Sequence, residues 1–332
     1  MINWNNRPFD IVSLTAAVNE LPFVPGRIGR MALFLEEGMA TTSAGIENIR
    51  GTLTLVEPTP RGGVGQPYAA DKRGVVRLET AHLQLDGVVQ ADEVQGVRAF
   101  GTSDTLQTVA DVVNGKFAGM FRNLDATMEH LYLGAVKGKV VSGSGAVMWD
   151  LFSTFEVSPL ADVDFVLGTA TTDIHAKCLS VVRGMADRLG GAPLAGVHAF
   201  CGDTIYDKLV THANVVKSYE AQQMALALRD SSLAYSSFRY GGITFENYQG
   251  SVGGVPFIAA DEIRFFPVGV PGLFRTWYAP ADWNETVNTV GLPRYAKLKA
   301  RDDDKGANLW AQSNPLAICT IPAVLRRGFS SN

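Results

Sequence analysis

Apolar side chains recur at Leu106, Val109, Val113, Phe117, Met120, Leu124, Met128 and Leu131. Every step is three or four residues, so all of them fall on one stripe of a single helix. Ser103 and Asp104 precede the run as a plausible N-terminal cap. The pattern predicts a helix over 104–137, roughly 50 Å long at 1.5 Å per residue and far longer than an ordinary globular helix. Gly115 and Gly119 each weaken it by about 1 kcal/mol relative to Ala, so packing must compensate or the helix bends there. Half of a coiled coil is the competing reading. The pattern occurs once, however, and its polar face lacks dense Glu/Lys pairing.

Upstream the period changes. Residues 47–57 and 75–85 alternate: Val75, Arg77 and Glu79 fall on one face, and Val76, Leu78 and Thr80 on the other. Period-two patterning predicts strands. Residues 58–74 between them carry three Pro and four Gly, with Arg61, Lys72 and Arg73. A tight hairpin needs about two to five loop residues, and so long a Gly/Pro-rich tip cannot pack a core of its own. Residues 1–45 read as an extended arm, interrupted by Pro8, Pro22 and Pro25, with one short amphipathic stretch from Ile11 to Leu21.

Beyond the long helix, residues 139–157 predict a hairpin about Ser142-Gly143-Ser144-Gly145. From 160 to about 265 helix and strand alternate. Thr172–Leu189 reads as a helix closed by Gly190-Gly191, and Val197–Cys201 as a buried strand. A second helix follows over 204–211, and Ser218–Leu228 is helix or loop. Strands are expected at Ile243–Tyr248 and Val255–Ala259. The tail returns to strands at Gly272–Tyr278, Tyr295–Arg301 and Leu316–Leu325, with Asp302-Asp303-Asp304-Lys305-Gly306 as a turn.

Composition narrows the function classes. The 332 residues are 46% hydrophobic and only 19% charged, which suits a globular chain of about two domains. Lys plus Arg is 29 and Asp plus Glu is 33, a net charge of -4. The basic excess of a dedicated nucleic-acid binder is missing. Cys178, Cys201 and Cys319 form no framework of disulfides and suit a reducing compartment. The N-terminus lacks the pattern of a secretory signal, and no apolar run is long enough to span a membrane.

Candidate chemistry is sparse. Gly62-Gly63-Val64-Gly65 has no Lys-Ser/Thr after it and opens no helix, so it is not a phosphate loop. The histidines His82, His130, His175, His198 and His212 are scattered, none at zinc spacing. His198 and Cys201 are close in sequence and form the one conceivable nucleophile pair. The Asp302–Asp304 run lacks the alternation and closing Glu of a calcium loop. An enzyme built on 160–265 would need a polar constellation that these residues do not supply. What stands out instead is architecture: an arm and a loop tip that another chain must satisfy.

The order of several stretches resembles the phage major capsid proteins with the HK97-type fold, in particular the lambda-type (gpE-like) family. Leu21-Pro22 through Phe34, with Gly51–Val56 and Pro60-Arg61-Gly62-Gly63, is similar to the family's arm and the start of its extended loop. His82-Leu83 and Ala91–Gly101 resemble the link into the spine helix, and Leu133–Val140 resembles its end. Tyr240–Ile243 with Gly254–Ile258 is similar to the axial-domain sheet, and Asn314-Pro315-Leu316 to the last peripheral strand.

The resemblance implies an α+β capsid fold. Residues 1–46 are then the N-terminal arm and 47–86 the extended β-hairpin loop. Residues 87–159 form the peripheral domain with spine helix 104–137, residues 160–268 an α/β axial domain, and 269–332 the peripheral C-terminal strands. It implies a non-enzymatic shell protein that needs no cofactor or metal and self-assembles into hexamers and pentamers around the dsDNA of a tailed phage. Its expected partners are a separate scaffolding protein, since no scaffolding region is expected within this chain, a portal protein, a decoration protein and weakly contacted dsDNA, with no membrane. The expected location is the virion, and the host cytoplasm during assembly. Arg61, Lys72, Arg73 and Glu129 are the candidate inter-subunit contacts. Lys72 is a loop lysine, but position identifies neither an Asn partner nor a catalytic Glu for a crosslink. An encapsulin-like compartment that encloses cargo is the alternative with the same fold.

Overall fold

A computed structural model describes residues 26–50, 72–93, 109–221, 237–252 and 255–332. In chain order the elements are α1 (Arg27–Arg30), β1 (Leu35–Gly38), β2 (Ser43–Arg50), β3 (Lys72–Glu79), β4 (Leu83–Gln90) and α2 (Val109–Lys137). Next come β5 (Lys139–Val141), β6 (Val147–Asp150), α3 (Leu151–Thr154), β7 (Val163–Asp164), α4 (Ile174–Leu189) and β8 (Gly196–Cys201). These are followed by α5 (Asp203–Thr211), α6 (Ala213–Ala221), β9 (Ser237–Tyr240), β10 (Ile243–Asn247), β11 (Ser251–Val252) and β12 (Val255–Pro256). The last strands are β13 (Glu262–Val268), β14 (Phe274–Tyr278), β15 (Tyr295–Ala300), β16 (Gly306–Ser313), β17 (Pro315–Cys319) and β18 (Arg326–Phe329). The Ile11–Leu21 stretch, the cap at Ser103-Asp104 and the tip of the long loop lie outside the described residues.

Helix α2 is the axis of the molecule, about 44 Å long at 1.5 Å per residue. Its first half buries Val113, Phe117, Phe121 and Leu124 under the sheet β15-β16-β4, against Leu298, Ala307, Leu309 and Val89. The apolar stripe was expected to use Met120, which is only partly buried here; Phe121 takes the core position. From Met128 to Val136 nearly every side chain is buried, with His130 only partly so. This half runs through a second core, with the sheet β1-β14-β17. Gly138, in the left-handed region at φ 79°, ends the helix. The chain then folds back as the β5–β6 hairpin. That hairpin is shorter than its sequence pattern: Asp150 accepts from the amides of Phe152 and Ser153 and converts the next residues into the turn α3.

The remaining core belongs to the six-stranded sheet β7-β18-β13-β8-β10-β9. Alternation gives it two different faces. Val197, Ala199, Cys201, Ile243, Phe245, Ile263 and Phe265 pack under α4 and α5 in a core drawn from Val163 to Phe265. Phe200, Tyr248 and Phe266, on the opposite face, join the core that holds the end of α2. Asp173 caps α4, and Gly190 closes it at φ 59°. The expected strand Val255–Ala259 is reduced to the short β12, paired with β11.

Two further expectations change. The run 75–85 is two strands in two sheets. β3 pairs with β2, Ser43 opposite Glu79 and Arg50 opposite Lys72, whereas β4 pairs with β16. The corner between them is pinned: the Ala81 amide donates to the Pro315 carbonyl at 2.8 Å, and His82 Nδ1 lies 3.0 Å from Asn314 Oδ1. The tail also divides. β14 to β17 lie in the two three-stranded sheets, but β18 returns to the six-stranded sheet between β7 and β13.

Candidate functional site

The residues that sequence chemistry singled out do not converge. His198 and Cys201 are three apart on β8 and so face opposite sides of the sheet. Cys201 is enclosed in the helix-covered core, while the His198 ring meets Phe200 and Phe266. Burial pushes all three thiols up, Cys178 and Cys319 to about 12. His130 Nε2 meets the Val141 carbonyl at 3.1 Å, and His212 Nε2 meets that of Thr169 at 3.1 Å. Asp303 is held by Arg301 and by the Lys305 amide, which closes the acidic turn on itself. Among the described residues no group of His, Cys, Asp and Glu is placed to hold a metal ion.

Of the expected contact residues, Arg61 lies outside the described residues. Lys72 and Arg73 open β3, opposite Arg50 and Ile49, at the end of the β2–β3 ribbon away from the Thr80 corner. Glu129 is 7% exposed in the subunit, and its carboxylate is taken up within the chain. Glu129 Oε1 accepts from the Ile28 amide at 2.8 Å and from the Tyr248 hydroxyl at 2.9 Å, and Oε2 accepts from the Gly29 amide at 3.3 Å. A polar group this enclosed is accommodated because donors surround it.

These bonds outline a junction that sequence reasoning missed. Glu246, on β10, is fully buried. The Arg27 guanidinium makes a forked pair with it, with Nη2 at 2.7 Å from Oε2, and His198 Nε2 lies 3.0 Å from the same oxygen. Burial alone would raise the Glu246 carboxyl, but the bonds and charges of His198 and Arg27 outweigh it and hold it below its ordinary value. One short segment, Gly26–Arg30, is thereby fastened to the long helix and to the six-stranded sheet at once. Nothing in the sequence signals it: Glu129 stands beside His130, between Met128 and Leu131.

The architecture is one seen before. A crystal structure of a prophage protein from E. coli CFT073, described as a capsid protein, superposes with a TM-score of 0.60 at 14% identity, covering 97% of this chain and 99% of that one. The mature capsid of bacteriophage PhiM1 gives 0.51 at 14% identity, covering 90% and 85%. These likenesses assign the HK97-type capsid fold. The family model for phage major capsid protein E matches residues 10–330. The chain belongs to that family. The major capsid protein of Pseudomonas phage KPP10 is 26% identical over 343 residues, 96% of each chain. That of Salmonella phage Felix O1 is 26% identical over 359 residues, 98% of this chain and 97% of that one. As a member of the capsid protein E family, the chain is a shell-forming structural component of the phage virion.

Proposed function

We propose that this chain builds the icosahedral head of a tailed phage by occupying both hexamer and pentamer positions around dsDNA, as a structural subunit without catalytic activity. The observation that carries it is the β2–β3 ribbon. An isolated two-stranded ribbon is marginal in water. This one buries Ala44 and Leu78 at its base but leaves Val75 62% exposed, and its described sheet has no third strand. A surface on a neighbouring subunit is the natural cover. Arg61, Lys72 and Arg73 at the far part of the loop are then contacts to that neighbour. The six-stranded sheet with α4 and α5 acts as the axial domain, turned toward the capsomer axis.

Assembly in the host cytoplasm would use a separate scaffolding protein and a portal protein at one vertex, with a decoration protein as an outer partner. Packaged DNA would be met weakly, as the net charge of -4 suggests. The test is co-expression with a scaffolding protein, followed by sedimentation and electron microscopy. Closed shells with hexamers and pentamers are expected. A chain that stays monomeric at high concentration would refute the proposal. Uniform small cages formed without scaffold would instead identify a cargo compartment.

A further inference from the structure

Exposed apolar side chains gather in one loop between β14 and β15. Val287 and Val290 are each 63% exposed and Leu292 is 42% exposed. The loop is nevertheless tied down. The Thr286 hydroxyl donates to the Ala281 carbonyl at 2.6 Å, the Thr289 hydroxyl to the Thr286 carbonyl at 2.7 Å, and the Gly291 amide to the Met39 carbonyl at 2.9 Å. These bonds hold the apolar side chains outward, and such a grouping marks an interaction surface. Asp282 and Glu285, both exposed, stand at its start.

A cleft of the complementary character lies at the end of α2, lined also by α3 and the start of β18, with a volume of about 440 Å³. Phe152 and Leu160 belong to its apolar wall, and Lys137, Lys139, Arg264, Arg326 and Arg327 supply charge. Lys137 donates to the Phe257 carbonyl, and Arg326 to those of Ala161 and Ser180, so neither is matched by a carboxylate there. The other three pair with Asp150, Asp162 and Glu262. Five cations against three carboxylates leave the cleft positive in a chain whose net charge is -4. The Arg264 Nε is buried and has no partner among the described residues.

We infer that the 282–292 loop of one copy docks into the α2–β18 cleft of a second copy, its valines against Phe152 and Leu160 and its acids toward Lys139 and Arg327. The inference rests on the shell-building reading above, which brings copies together. Loop and cleft are different surfaces, so the contact is heterologous and closes into a ring when the rotation between copies allows. Charge sets the register, and burial of the valines supplies the attraction. Duplex DNA would meet the cations of the cleft but leave its apolar wall uncovered.

The test uses the full-length chain co-expressed with a scaffolding protein. Leu160→Cys, Val290→Cys and the double variant are oxidised after assembly and separated under denaturing, non-reducing conditions. The double variant should give a ladder of covalent oligomers, and each single variant should stay monomeric, because Cys178, Cys201 and Cys319 are buried. In a second arm, Lys139→Glu and Asp282→Lys should each lower the assembled fraction by about tenfold through like-charge contact, and the two together should recover most of it.

Shells of the double cysteine variant that stay monomeric on oxidation overturn the inference, as does a combined charge variant no better than the worse single one. If Leu160→Cys does not fold, Lys139→Cys with Val290→Cys decides by the same ladder. Binding of a short DNA duplex that Lys139→Glu abolishes, without a ladder, would make the cleft a nucleic-acid site and overturn the docking. Wild type that forms no shells would count against the shell-building reading, while oxidation of the concentrated double variant would still show whether loop and cleft meet.

Discussion

Gly134 of helix α2 and Val140 of the following strand approach so closely that a Cβ on Gly134 would lie 2.9 Å from the Val140 Cα. The contact is between helix and backbone, so no rotamer change relieves it. Gly134→Ala is expected to cost about 1–3 kcal/mol through overpacking, although Ala is the better helix former. Urea unfolding of the subunit checks this; a neutral or stabilising result would mean that the hairpin can move away.

Gly115, on the same helix, should behave in the opposite way. Nothing lies within 4 Å of a Cβ built there, so Ala gains helix propensity and restricts the unfolded chain without a clash. Gly115→Ala is expected to stabilise the subunit by about 1 kcal/mol. A loss of stability in the same urea assay would show that this glycine has a packing role.

Acid should weaken the bond between Arg27 and Glu246. The Glu246 carboxyl is held below its ordinary value of 4.5 in the folded chain, so the unfolded chain takes up the proton first as pH falls. Its contribution to stability is full above 4.5 and is lost as pH drops through the lower, folded value. Wild type should therefore lose stability more steeply than Glu246→Gln between about pH 5 and pH 3. Other depressed carboxyls, such as Asp164, Glu285 and Asp303, are common to both proteins and cancel in the difference. Parallel curves would show that Arg27 and His198 do not stabilise the anion.

The cysteines should be silent in the folded subunit. All three are buried, and burial raises each thiol well above the pH range in which thiolates form. An aromatic disulfide reagent near neutral pH should label none of Cys178, Cys201 and Cys319 natively, and all of them in denaturant. Prompt labelling of any one would place it in a segment that opens locally.

Short-range pattern carried much of the fold. Helix α4 is legible from Asp173 to Gly190 because capping and periodicity act within a few residues. Helix α2 is legible because one stripe repeats over many turns. The corner at Thr80–His82 is not: residues 75–85 alternate without a break, and the split is imposed by partners more than two hundred residues away, Asn314 and Pro315. Likewise the pattern of the tail does not single out β18, and only pairing with β13 and β7 takes it into the six-stranded sheet.

The sequence by itself determined the long helix, helix α4, several of the strands, the two kinds of periodicity and, through the order of its stretches, the family. Those follow from local forces: capping, propensity and the alternation of apolar positions. Tertiary structure alone decided what each polar residue does. Glu129 looks from its sequence like a surface charge, yet it is buried because Ile28, Gly29 and Tyr248 converge on it. Glu246 stays ionised in a core because an arginine 219 residues away closes over it. Burial and the pairing of distant charges depend on three-dimensional proximity, which no local pattern along the chain records.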